Sequence, residues 1–185
     1  METTPGSQRR YSMGAIILHW LIAIAVIVNW RIAESAHELP QAQRSDLMNW
    51  HFEIGMTILV LTVLRILWRL THRPPPLSAD ITPVERVLAR VTHAAFYILL
   101  ISLPMLGWIG MSGYDFPVPF FGLFEWPVLP TGLTEDGGHQ ILEIHATLGT
   151  AMLFLIALHI LGALKHQFYD RDGTLWKMLP LWRQR

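Results

Sequence analysis

The chain has 185 residues and a mass of 21.2 kDa; 52% of it is hydrophobic, only 15% is charged, and the mean hydropathy is +0.35. Soluble domains carry roughly a quarter of charged residues, so this composition excludes an ordinary water-soluble domain. Its 14 basic residues balance its 14 acidic ones, which excludes a strongly basic nucleic-acid binder. The sequence has no cysteine, which excludes a disulfide framework, an iron–sulfur cluster, a thiolate metal site and the Cys-x-x-Cys-His attachment of covalent heme. Any redox cofactor must be held non-covalently.

Apolar runs cover residues 12–30, 47–70, 92–111 and 141–166, each close to the ~20 residues that cross a bilayer. They predict an all-α fold, an integral membrane four-helix bundle forming one transmembrane domain over 1–185. The first run is too long for the apolar region of a signal peptide, contains His19 and lacks a small-residue cleavage site, so it is expected to remain in the mature protein. Between the second and third runs, the connection 72–80 contains Pro74, Pro75 and Pro76, a stiff link that cannot continue a helix. The connection 112–139 is rich in Pro, Gly and aromatics, including Tyr114, Phe116, Phe120, Phe121, Phe124 and Trp126. That composition suits a cap loop in the outer membrane interface.

Cations set the expected orientation. Arg9 and Arg10 precede the first run; Arg65, Arg69, Arg73, Arg86 and Arg90 surround the second connection; Lys165, Arg171, Lys177, Arg183 and Arg185 follow the last run. Only Arg31 and Arg44 fall on the other side, so the positive-inside rule places both termini in the cytoplasm of a multi-pass protein.

Of the nine histidines, His19, His51, His145 and His159 lie within or at the mouths of apolar runs. Ionisable groups are costly there, so a functional role is the default reading, against the alternative of four hydrogen-bonded core residues. Depth decides which can meet. The first and fourth helices run in opposite directions, which brings His19 and His159 to one level near the inner face. By the same reasoning His51 and His145 share a level near the outer face. His145 and His159 are 14 residues apart, about 21 Å of helix rise and a net rotation of about 40°, so one helix offers a ligand to each of two stacked sites. Gly55 follows His51 by four residues, Gly149 follows His145 by four and Gly162 follows His159 by three. These glycines would leave room for a flat, bulky ligand, or else serve close helix packing.

Tetrahedral zinc would need carboxylates or thiolates at the same depth; only Glu53 and Glu143 lie near the outer level and no acid lies near the inner one. Two axial imidazoles and an apolar slot are what heme requires, so the pattern predicts two non-covalent b-type hemes. Arg65, 14 residues after His51, falls at the level of His19 and His159, where a heme propionate would balance its charge. Arg69 is a second candidate for that role, or snorkels to headgroups. His93 competes with His19 as an inner ligand and ranks second. His37, His72, His139 and His166 lie at ends or in loops, with His166 a candidate contact for a propionate or a quinone.

The chain resembles the bacterial cytochrome b561 family. The pieces that carry the resemblance are Ile17-Leu18-His19-Trp20, Trp50-His51 with Leu59-Val60-Leu61 and Arg65, His93, Glu143-Ile144-His145, and Leu158-His159 through His166. They span roughly residues 11–180. The resemblance implies a small di-heme protein of the bacterial inner membrane, surrounded by membrane lipid, with His19 paired to His159 and His51 to His145. It implies electron exchange between a quinone pool, such as ubiquinone, and a one-electron donor or acceptor at the outer face, with superoxide oxidation in some members. Against superoxide, Asp46, Asp115, Glu125, Glu135, Asp136 and Glu143 outnumber Arg31 and Arg44 outside, a field that does not attract an anion. Two rival readings remain: a cytochrome subunit or anchor serving a separate catalytic protein, and a histidine-based proton or metal-ion transporter.

Overall fold

A computed structural model describes residues 10–76 and 81–179, apart from the side chains of His37 and Ala42. Arg9, Arg183, Arg185 and the end of the proline-bearing connection, 77–80, lie outside the described residues. Four helices are long and apolar enough to cross a membrane: α1 (Met13–His37), α2 (Gln41–Thr71), α3 (Pro83–Ser112) and α4 (Glu135–Lys165). A short antiparallel hairpin, β1 (Val118–Phe120) and β2 (Phe124–Trp126), lies between α3 and α4.

All four helices extend beyond the apolar runs. Asp46, Arg31 and Arg44, expected in a connection, are helical, as are His37, Glu135, Asp136 and His139. The reason is that an apolar run stops at the first charges, whereas a helix continues through them into the headgroup layer, and local capping decides where it ends. At the start of α3, Thr82 and Glu85 form a reciprocal capping box with Pro83 in the first turn. Thr134 accepts a hydrogen bond from the Gly137 N–H at the start of α4, and Glu135 and Asp136 complement the helix dipole there. His72 and Arg73 separate the end of α2 from Pro74, Pro75 and Pro76.

Close backbone contacts run from α1 to α2, α2 to α3 and α3 to α4, while α4 stands further from α1 and α2. Glycine sets the closest approaches. A Cβ on Gly138 would lie 2.7 Å from the Gly110 carbonyl oxygen and 3.2 Å from Gly113 Cα, so α3 and α4 touch backbone to backbone near the hairpin. At the opposite end Gly14 lies against the Trp68 ring, whose indole N–H donates to Ser12 Oγ at 2.9 Å. Gly138→Ala is expected to destabilise the bundle by about 1–3 kcal/mol, because the colliding atoms are backbone and cannot swing away. Thermal unfolding in detergent measures this, and an unchanged midpoint would contradict the contact.

The middle of the bundle is an apolar layer of Ile22, Ile58, Leu100 and Met152, one from each helix, with Phe96 and Ile156 packed against it. Lipid-facing positions such as Ile24, Leu67, Phe154 and Leu161 remain exposed, as a bilayer-solvated surface requires.

The two ends of the bundle differ. At one, called basal here, the segment after α4 turns back through a wide turn (His166–Asp170) and a short 3-10 helix (Leu175–Met178). It is tied to the start of α1 by the Tyr11 N–H on the Lys177 carbonyl at 3.4 Å and the Trp20 indole N–H on the Met178 carbonyl at 2.8 Å. Lys165 bridges Glu85 and Asp170 at 2.6 and 2.7 Å. The other end is covered by the hairpin, which was expected only as a cap loop. Its turn places Phe121 and Gly122 at φ of 50° and 68°, and the Leu123 N–H closes it on the Phe120 carbonyl at 2.9 Å. The signal was the Phe121-Gly122 pair, obscured by aromatics that suit an interface equally well.

Candidate functional site

The four intramembrane histidines meet in two pairs. His19 of α1 and His159 of α4 have ring centroids 6.4 Å apart, and His51 of α2 and His145 of α4 have theirs 5.9 Å apart. The interplanar angles are 79° and 80°. Metal–nitrogen bonds to imidazole are about 2.0–2.1 Å, and a ring centre lies about 1.1 Å beyond its nitrogen, so two imidazoles on opposite sides of one metal have centroids roughly 6 Å apart. Both pairs match that spacing.

The pairs lie on either side of the apolar layer. Met152 is midway in sequence between His145 and His159, and Ile58 is midway between His51 and Arg65. An apolar layer therefore lies between the two levels, with the fully buried Thr62 one turn to the Arg65 side of Ile58.

At the capped level both rings are oriented from behind. His145 Nδ1 lies 2.8 Å from the Leu103 carbonyl oxygen and His51 Nδ1 lies 3.2 Å from the Asn29 carbonyl oxygen. A carbonyl can only accept, so each Nδ1 carries the proton and each Nε2 keeps its lone pair for a metal. The partners are main-chain atoms, which explains why no residue type announced them. Glu53, buried two residues after His51, accepts the Phe121 N–H at 2.8 Å and so fastens the hairpin turn over this level. Trp50 and Phe121 meet edge to face at 6.0 Å.

At the basal level a third imidazole joins the pair. His93 of α3 has its ring centroid 6.0 Å from that of His159, and the Phe96 ring stands 5.2 Å from His159. Because α3 begins at Pro83, His93 lies three turns into its helix and not at its mouth. Arg65 lies beside this level: its Nη1 donates to the Ala15 carbonyl at 3.1 Å and its Nε to the Tyr97 hydroxyl at 3.3 Å, and Arg69 stands over the Tyr97 ring at 5.7 Å. Tyr97, four residues after His93, was missed in the sequence, although its helical spacing from His93 was readable. His166 Nδ1 lies 3.0 Å from Asp170 Oδ2 and 2.9 Å from Asp172 Oδ2, away from the imidazole pairs. His139 sits by Glu143 at 3.4 Å, and His72 stacks on Trp68 at 4.1 Å.

The glycines divide into two groups. A Cβ built on Gly149 or Gly162 would meet nothing within 4 Å, and one on Gly55 would meet only Asn29 Nδ2 at 3.6 Å. Close packing therefore belongs to Gly14, Gly110, Gly113 and Gly138, while Gly149 and Gly162 border open space next to the histidines of α4. Among the described residues, no group of three or more His, Asp or Glu is placed to hold a metal ion. Paired imidazoles, open space beside the α4 glycines and no carboxylate joining them among the described residues fit a planar metal macrocycle better than a bare cation.

A membrane bundle with such pairs has the architecture of a b-type cytochrome. The family model for prokaryotic cytochrome b561 matches residues 10–181, and the chain belongs to that family. It is 32% identical over 174 residues to the probable superoxide oxidase CybB of Yersinia pestis, covering 93% of this chain and 97% of that protein. It is 30% identical over 177 residues to cytochrome b561 homolog 2 of Escherichia coli strain K12, covering 92% and 91%. Cytochrome b562 of Cereibacter sphaeroides is 26% identical over 185 residues, covering 97% and 98%. The protein is thus a bacterial membrane b-type cytochrome of electron transfer, working in lipid with redox partners.

Proposed function

We propose that this cytochrome binds two hemes, one between His19 and His159 and one between His51 and His145, and carries electrons between a quinone such as ubiquinone and a one-electron partner at the outer face. The observation that supports this most is the pair of imidazole couples, 6.4 and 5.9 Å apart, on either side of an apolar layer. When bound, each heme supplies a one-electron iron couple. The chain does the rest. Two imidazoles per heme would leave no coordination position open for oxygen chemistry, which favours electron transfer at the cofactor edge. Ile22, Ile58, Leu100 and Met152 exclude water between the levels, an arrangement opposed to the hydrated path that a histidine-based transporter needs. Arg65 is positioned to offset carboxylates at the basal level, and Gly55, Gly149 and Gly162 leave space for the ring.

The basal end carries most of the cations, so it is assigned to the cytoplasm with both termini, and the hairpin to the outer face of the inner membrane. The name of the Yersinia pestis relative makes superoxide the first outer-face donor to test. In that reaction two superoxide anions each give up one electron, and a quinone takes both with two protons to form a quinol. The exposed acids Glu125, Glu135 and Asp136 near the hairpin supply no attraction for that anion.

The test is heme content and spin state. Purified protein is expected to hold two hemes per chain, both six-coordinate and low-spin. Imidazoles that kept their planes near 80° apart around a bound heme would give a ferric electron paramagnetic resonance spectrum of the strongly anisotropic, large-g type. One heme per chain, or a five-coordinate ferrous spectrum, would refute the assignment, and quinone reduction by superoxide or another donor then identifies the partners.

A further inference from the structure

His159 faces two imidazoles, not one. The ring centroids of His19 and His93 lie 6.4 and 6.0 Å from it, on α1 and α3 respectively, and both distances suit a metal held between two nitrogens. The levels differ in how their rings are held. At the capped level, each Nδ1 is anchored to a main-chain carbonyl. No such bond anchors His19, His93 or His159 among the described residues; their neighbours are rings, Trp20 beside His19 and Phe96 beside His159. Gly162 leaves open space three residues beyond His159, giving a planar group latitude on that side of α4.

We infer that His93 is a second axial ligand for the basal iron: His159 is the fixed ligand, and His19 and His93 are alternative partners for the opposite position. In either arrangement the iron would be held by His159 and one other imidazole, His19 or His93, so the alternatives would differ neither in oxidation state nor in proton count. The capped level has a single pairing and cannot exchange. This inference rests on the heme reading above and adds to it an asymmetry between the two sites.

The experiment compares His19→Ala, His93→Ala, the double variant and His51→Ala in detergent-purified protein, by heme-to-protein ratio and ferric electron paramagnetic resonance. His19→Ala is expected to retain two low-spin hemes with a shifted basal g value, because the angle between ring planes changes from 79° to 68°. His93→Ala also retains two, and the double variant retains one. His51→Ala has no substitute ligand and is expected to lose the capped heme or its low-spin state. A positive signature comes from His19→Ala combined with His93→Met, which should show a thioether-to-iron charge-transfer band in the far red. Loss of the basal heme or a five-coordinate basal iron in His19→Ala, or absence of the thioether band, overturns the inference. If His19→Ala does not fold, His19→Asn takes its place under the same criteria. Failure of the underlying reading looks different: wild-type protein would then lack two bis-histidine hemes from the outset.

Discussion

On the proposed two-heme reading, replacing His159 with alanine is expected to remove the basal heme and halve the heme content of the purified protein. His159 is the member common to both basal pairings, at 6.4 Å from His19 and 6.0 Å from His93, so its loss removes the ring that both share. Loss of a mere orienting group behind a ligand typically weakens metal binding ~10–100-fold, and loss of the ligand itself should exceed that. The capped heme is expected to survive, because His51 and His145 lie beyond the layer of Ile22, Ile58, Leu100 and Met152 and keep their carbonyl anchors. Electrons would then enter at one face without reaching the other. The readouts are pyridine hemochrome content and the rate at which a donor on one side reduces a quinone. Undiminished heme in this variant would remove His159 from the site.

Gly149→Leu should displace the capped heme while leaving the helices in place. A Cβ at this position meets no neighbour within 4 Å, so in the protein chain alone the substitution is free of steric conflict. It should even favour the helix by up to about 1 kcal/mol, since glycine is a poor helix former. If the space beside His145 belongs to a heme, the leucine intrudes on it, and overpacking of about 1–3 kcal/mol corresponds to a loss of roughly five- to 150-fold in affinity. The two readings of the glycine thus predict opposite signs. Full occupancy at the capped level combined with raised thermal stability would show that Gly149 does not border the cofactor.

Much of this arrangement was readable because a bilayer restricts what a chain can do. With backbone groups satisfied only by helix, depth follows from residue number, so the 14-residue interval between His145 and His159 already implied two levels on one face of α4. Antiparallel neighbours then brought His19 and His51 to those levels. The same logic put His93 near the level of His19 and ranked it second, but it did not show that the capping box at Thr82 and Glu85 starts α3 at Pro83, well before it. Hydropathy does not register caps.

Glycine shows the boundary most clearly. In sequence, the spacing of Gly149 and Gly162 from His145 and His159 suggested room for a ligand but left close packing open, since absence of a side chain permits both a cavity and a contact. Only the placement of α3 against α4 separated this pair, which faces open space, from Gly110 and Gly138, which touch. The hairpin and its fastening at Glu53 were hidden for a related reason: the bond is to the Phe121 main-chain N–H, which every residue but proline possesses.

By itself, the sequence determined the membrane class, the four crossings, the two histidine levels and the absence of any thiolate ligand, since these follow from composition and from the rise of a helix per residue. Tertiary structure alone decided the ring separations, the carbonyls that set the capped tautomers, the third imidazole at the basal level and the space beside Gly149 and Gly162. Those depend on how far apart the helix axes stand and how each helix is rotated, which is the joint outcome of all contacting side chains and is encoded at no single position.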